Sequence, residues 1–139
     1  MSDCIFCKII KGEIPSYYVY EDESCKVIFD RFPSSLGHML IITKKHYDNI
    51  YELDVEVSAR LYPLAVKMAN KLKSALNCDG INILQNNEAA AGQTVGHFHI
   101  HVIPRYKNDS VNINWKAKDP TSKEFEDMLK LLLTTTTDH

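Results

Sequence analysis

The segment His97-Phe98-His99-Ile100-His101-Val102-Ile103 constrains this chain more than any other part of it. Polar and apolar side chains alternate residue by residue, which is the period of a half-buried strand, because successive Cβ atoms point to opposite faces of a sheet. Such a strand sets Phe98, Ile100 and Val102 against a core and turns three imidazoles to the other side. It also needs partner strands. Runs bounded by charged residues, Gly or Pro occupy 17–21, 25–29 and 38–43, and a further run occupies 81–85, with 97–104 completing the set. From Asp54, a suitable N-cap, the period changes: Val57, Leu61, Leu64, Ala65, Met68, Leu72, Ala75 and Leu76 share one helical stripe. Pro63 lies inside that stripe and is expected to kink the helix or to mark a later start. A short helical turn is expected over 4–10, stopped by Gly12-Glu13-Ile14-Pro15, and a second helix at about 121–133 follows Asp119-Pro120. This order predicts an α+β fold. It is read as a five-stranded antiparallel sheet with one long central helix and a C-terminal helix, the helices covering one sheet face. With 139 residues, 45% hydrophobic and 24% charged, a single domain over 1–139 is expected.

Charge limits the partners. A net charge of −2 offers no broad basic footprint, so neither nucleic acid nor an anionic membrane is an expected partner. The first residues lack a basic stretch followed by an apolar one, and no apolar run approaches the roughly 20 residues that span a bilayer. A soluble, cytoplasmic protein is expected, with nuclear entry open to it if the source is eukaryotic. In that compartment the four cysteines stay reduced, which moves Cys4-Ile5-Phe6-Cys7 towards metal binding or redox chemistry and leaves Cys25 and Cys78 as buried thiols.

Two chemistries use several imidazoles on one face. One is a metal site, with ring nitrogens as ligands. The other is phosphoryl chemistry, in which a neutral imidazole attacks phosphorus while its neighbours donate hydrogen bonds to charged oxygens. Gly92-Gln93-Thr94-Val95-Gly96, immediately before the histidines, suits a loop that closes around a phosphate and favours the second chemistry.

This His-φ-His-φ-His-φ-φ pattern, with Gly-Gln-Thr-Val before it and Asn86 eleven residues before His97, resembles the histidine triad (HIT) family, in particular its Hint branch of nucleoside phosphoramidases. Further matches are Cys-Ile-Phe-Cys-Lys-Ile-Ile at 4–10, Gly12-Glu13-Ile14-Pro15, Phe29-Asp30, and Gly37-His38-Met39-Leu40-Ile41-Ile42 followed by Lys44-Lys45-His46. The resemblance covers about residues 4–106. It implies that His99 is the nucleophile, forming a nucleotidyl-imidazole at the α-phosphorus that water hydrolyses, with its other nitrogen held by the carbonyl of His97. It implies that His101 and His38 contact the phosphate, that Gln93 and Thr94 position the phosphate or leaving atom, that Asn86 lines the phosphate pocket, and that Asp30 accepts hydrogen bonds from the ribose. Thr94 stands where the branch commonly has serine, which keeps the hydroxyl. The base would lie among Ile5, Phe6, Ile9, Ile14, Ile28 and Leu40, apolar walls that accept adenosine or guanosine.

The resemblance further implies a structural zinc held by Cys4, Cys7, His46 and His97, with no cofactor needed for the chemistry. Strand alternation, however, points His97 the same way as His99, so a strand that begins or twists near His97 is expected. The implied ligand is a purine nucleoside monophosphate or its phosphoramidate, and the implied assembly is a homodimer. Retention of His101 favours hydrolysis, since transferase relatives carry glutamine there. A dinucleoside polyphosphate hydrolase and a nucleotide-binding regulatory or scaffold protein with little turnover remain alternatives.

Overall fold

The computed structural model describes residues 3–137. Its elements in chain order are α1 (Ile5–Ile10), β1 (Tyr18–Glu21), β2 (Cys25–Phe29), β3 (Met39–Thr43), α2 (Val55–Leu76), β4 (Gly80–Leu84), β5 (His99–Arg105) and α3 (Ser122–Thr134). The five strands form one antiparallel sheet in the order β1-β2-β3-β5-β4. Strands β1 to β3 are a local meander, and β4 with β5 is a second local pair. Only the β3–β5 seam joins segments distant in sequence, and its register sets Leu40 opposite His101 and Ile42 opposite His99.

Cross-strand partners share a face, so this register sorts the sheet into two sides. Val27, Met39, Ile41, Ile100 and Val102 pack with Leu61, Leu64, Ala65, Met68 and Leu72 of α2 in the main core. On the opposite side Ile28, Leu40 and Ile42 pack with Phe6 and Ile9 of α1. The helices therefore do not cover one face, as the element order suggested. The long helix takes one side and the six-residue α1 the other, while α3 buries none of its residues. The histidines stand on the α1 side.

Helix α2 starts where the cap is. Asp54 Oδ1 accepts the N–H groups of Glu56 and Val57, satisfying two of the donors that a helix start leaves open. Pro63 neither delays nor ends the helix, which continues to Leu76. The carbonyl that loses its partner to the ring belongs to Ala59, and both residues are exposed, so water can take that bond. The expected stripe holds from Leu61 to Leu72. Ala75 and Leu76, at the last turn, are exposed. At that end Gly37 sits at φ +101°, and a Cβ there would lie 2.9 Å from Leu76 Cδ1 and 3.4 Å from Leu72 Cδ2. A glycine is what allows the turn before β3 to tuck beneath the helix.

Candidate active site

Strand β5 begins at His99, two residues later than the alternation suggested. Phe98 N–H leaves the ladder to donate to Tyr47 O at 2.7 Å, and the chain turns at His97. The three histidines thus divide between two clusters.

His97 is fully buried and belongs to the first cluster. Its Nδ1 lies 3.3 Å from Cys4 Sγ, 3.6 Å from Cys7 Sγ and 3.1 Å from His46 Nδ1, and Cys7 Sγ is 3.3 Å from His46 Nδ1. The far nitrogens fix the tautomers. His97 Nε2–H donates to Thr43 O at 2.7 Å, and His46 Nε2–H donates to the Asp48 carboxylate at 2.8 Å. Two imidazole lone pairs are therefore aimed at each other and at two sulfurs. Burial drives His97 down to about 4, so its ring stays neutral at pH 7 and keeps its Nδ1 lone pair, which a Cys4 thiol proton or a cation can meet. The spacing fits a cation. Tetrahedral sites with metal–sulfur bonds near 2.3 Å and metal–nitrogen bonds near 2.0 Å have edges of about 3.3–3.8 Å, which these spacings match closely. Oriented outer partners on each imidazole are the usual companions of a metal ligand.

The second cluster surrounds His99. This ring is nearly buried and stands edge-on to Phe6, with centroids 5.1 Å apart. Its Nδ1–H donates to the carbonyl of His97 at 2.7 Å, which leaves the lone pair on Nε2. Burial lowers its basicity, so the ring is neutral at pH 7. Beside it, the backbone N–H of Ser34 donates to His38 Nδ1 at 3.1 Å. His38 must then carry its proton on Nε2, which donates to His101 Nδ1 at 2.9 Å. His101 in turn holds its own proton on Nε2. The chain of tautomers ends in one free lone pair, on His99, and one free donor, on His101. Burial and the neighbouring histidines push His101 down to about 4, and burial also lowers His38.

Asp30, just past β2, is brought to His38 by its N–H bond to His38 O, and its Oδ2 lies 3.6 Å from His38 Nε2. Asp30, His38 and His101 could by proximity hold an ion. The Ser34 amide argues otherwise, because it makes the inward nitrogen of His38 a donor rather than a ligand.

The loop before the histidines is organised differently from expectation. Both N–H donors and one oxygen lone pair of Gln93 go to backbone: Oε1 accepts Glu88 N–H at 2.7 Å, and Nε2 donates to Asp48 O at 2.6 Å and Val95 O at 3.0 Å. Gln93 is a staple within the loop. Asn86 Nδ2 reaches Gly92 O at 3.4 Å, and Gly92 sits at φ +95° with Asn86 packed against the place of a side chain. Thr94 is exposed and, with Val95, Gly96, Cys4, Ile5, His46, Asp48 and Asp3, lines a cleft of about 380 Å³. Of the six apolar residues named for the base, Phe6, Ile9, Ile28 and Leu40 form one buried cluster with Ile14 against it, whereas Ile5 is exposed in the cleft. Ser34, Thr43 and Asp48 had not been singled out. A carboxylate two residues after His46 was the one sequence signal available for them.

Comparison with known proteins identifies the family and the fold. The HIT domain model matches residues 11–108. The chain is 36% identical over 131 residues to the adenosine 5'-monophosphoramidase HNT1 of Saccharomyces cerevisiae, covering 94% of this chain and 80% of that protein. It is 45% identical over 108 residues to the adenylylsulfatase HINT3 of Arabidopsis thaliana, covering 78% of this chain and 55% of that one. Among solved structures, a HIT family protein from Bacillus anthracis superposes with a TM-score of 0.91 at 38% identity, covering 97% of this chain and 98% of the other. A zinc-bound histidine triad family protein from Mycobacterium smegmatis superposes at 0.76 with 34% identity, covering 95% and 94%. With residues 11–108 matched, more than half its length, the chain belongs to the HIT domain family.

Proposed function

We propose that this protein is a nucleotide hydrolase that cleaves nucleoside phosphoramidates, of the adenosine 5'-phosphoramidate type, at the α-phosphorus. The observation that carries the reading is the fixed tautomer of His99: a buried, neutral ring with Nδ1–H on the His97 carbonyl and its Nε2 lone pair free. That is the state a nucleophilic imidazole needs at pH 7. His99 Nε2 attacks phosphorus, the phosphorus–nitrogen bond breaks, and the leaving amine takes a proton from solvent. His101 Nε2–H is the donor oriented for the phosphate oxygens or the leaving nitrogen, and His38 holds it there. Water then attacks the nucleotidyl-His99 adduct, releasing the monophosphate and restoring the ring. In this reading Asn86, Thr94 and the loop stapled by Gln93 bound the phosphate, Asp30 takes the ribose hydroxyls, and the cluster around Phe6, Ile28 and Leu40 receives a purine. The names of the yeast and plant relatives support a substrate in which adenylate is joined to a heteroatom.

The first cluster is a structural zinc site in this reading, supported by its donor set and spacing and by the zinc-bound mycobacterial relative. Zinc there ties α1 to the sheet and supplies no group to the reaction. A homodimer would pair the outer side of α2 and the edge strand β4, where Tyr62, Val66 and Ile83 are exposed around a shallow apolar depression.

The test is hydrolysis of an adenosine phosphoramidate and, in parallel, of a dinucleoside polyphosphate, by wild type and His99→Ala. Turnover of the phosphoramidate that falls by about three orders of magnitude or more in the variant, with monophosphate binding retained, supports the reading. Equal rates overturn it, and turnover of the polyphosphate alone moves the assignment to that substrate.

A further inference from the structure

Two hydrogen-bond paths lead from the Cys4–Cys7–His46–His97 cluster, and both end at the proposed reaction centre. The first is one residue long. The ring of His97 is locked by the cluster on one nitrogen and by Thr43 O on the other, and the same residue offers its carbonyl to His99 Nδ1 at 2.7 Å. The second path passes through Asp48. Its carboxylate accepts His46 Nε2–H at 2.8 Å, and its carbonyl accepts Gln93 Nε2–H at 2.6 Å. Gln93 in turn holds the N–H of Glu88, whose φ of 73° is one a non-glycine residue rarely adopts without such a restraint. The nucleophile's tautomer and the phosphate loop are thus fixed from one point.

Helix α1 depends on that point as well. Six residues are too few to hold a helix in water, yet α1 places Phe6 edge-on to both His97 and His99, at 5.8 and 5.1 Å. Cys4, its N-cap, is partly exposed and borders the 380 Å³ cleft, so a small oxidant can reach it. Cys7 follows three residues on, a separation within a helical turn that suits a disulfide. Cys25 and Cys78 are enclosed, at 1% and 0% exposure, and serve as internal controls.

We propose that Cys4 and Cys7 form a redox control site: oxidation by a hydroperoxide joins their sulfurs, expels the metal ion, and releases both His99 and the phosphate loop, switching the nucleotide site off until a dithiol reductant restores it. The electrons balance. Two thiolates give up two electrons to form the Sγ–Sγ bond, and hydrogen peroxide takes them with two protons from water and leaves as two water molecules. His46 and His97, left as two of the original four ligands, no longer bind the ion tightly. The proposal rests on the zinc reading of the cluster.

The test uses the zinc-loaded protein with adenosine monophosphate as the probe, titrated with hydrogen peroxide. Four quantities are followed: zinc freed to a chromogenic chelator, the disulfide located by peptide mapping, monophosphate affinity, and the nitrogen-15 shifts of the His99 ring, which report its tautomer. The expected result is one zinc released per Cys4–Cys7 disulfide, affinity weakened about tenfold or more, and loss of the Nδ1–H signature, all reversed by dithiothreitol with zinc. Cys4→Ser, which has lost a ligand and starts from a weaker affinity, cannot form the disulfide and should show no further, dithiothreitol-reversible loss under the same peroxide. The proposal is overturned if zinc leaves and the disulfide forms while affinity and tautomer stay as they were, if Cys25 or Cys78 reacts first, if Cys4→Ser is equally sensitive, or if oxidation unfolds the whole domain. None of these readouts requires turnover, so a failure of the hydrolase assignment would show separately, as absent phosphoramidate cleavage in the reduced, zinc-loaded protein.

Discussion

Replacing Gln93 separates two ways in which a glutamine beside a phosphate site can act. In the structure its amide spends both donors and one oxygen lone pair on backbone groups, over 2.6, 2.7 and 3.0 Å. A hydrogen bond in a protein contributes about 1 kcal/mol net, less where water competes. Two of the three bonds lie at the exposed side of the loop, so Gln93→Ala should cost about 1–2 kcal/mol rather than the full sum. In a domain of this size that lowers Tm by roughly 4–8 °C. The freed loop must then be ordered by the ligand, so monophosphate affinity should fall about tenfold, and the amides of 88–95 should exchange faster than those of β5. Gln93→Glu should be worse than Gln93→Ala, because it sets carboxylate oxygen against the carbonyls of Asp48 and Val95. Calorimetric unfolding, ligand titration and hydrogen exchange on the three proteins measure all of this. An unchanged Tm together with weakened affinity would refute the reasoning, since that is the pattern of a side chain that touches the phosphate and supports nothing else.

Gly92→Ala should strain the same loop from its other end, because φ is +95° and the new Cβ would lie 3.3 Å from Asn86 Nδ2. Affinity for monophosphate should weaken several-fold with a stability loss of about 1–2 kcal/mol, read by titration and thermal melting. Gly37→Ala should cost about 1–3 kcal/mol in chemical denaturation without altering affinity, since its Cβ meets Leu76 and Leu72 on the face away from the histidines. Acid should destabilise the fold in a defined window. His101 titrates at about 4 when folded against about 6.5 when unfolded, so between those values the unfolded chain binds a proton that the folded one refuses. Stability should therefore fall by roughly 3 kcal/mol from pH 6.5 to pH 4, and His101→Gln should flatten that slope in pH-dependent melts.

Much of the fold was legible because its signals are local. Bounding charged residues placed β2 over the residues where it is found, and Asp54 marked the start of α2 through chemistry that any helix end requires. What was not legible depends on water and on distant partners. Pro63 looked like a breaker, and nothing in the sequence says that the carbonyl it orphans faces solvent. The side chain of His97 could not be read from periodicity, because its place is set by Thr43, His46 and the N-terminal cysteines across the sheet. Gln93 stands where a phosphate contact is expected, yet its partners are carbonyls and an amide from three parts of the loop region. The role of Ser34 rests on a backbone N–H, which no side-chain pattern records.

The β3–β5 seam has a consequence for how the molecule comes to be. Its two halves, the β1–β3 meander and the β4–β5 pair, close through contacts near in sequence, whereas the seam joins strands separated by α2 and must pay a larger loop-closure entropy. Pairing by hydrophobicity alone would tolerate a slip of two residues, since Leu40 and Ile42 or Ile41 and Ile100 can exchange neighbours without leaving their faces. The histidines do not tolerate it: a two-residue slip carries His101 away from His38 and His97 away from Thr43 at once. The same imidazoles that perform the chemistry thereby act as the notch that selects one alignment, and recovery of nucleotide binding during refolding becomes a clock for the last long-range step rather than for collapse.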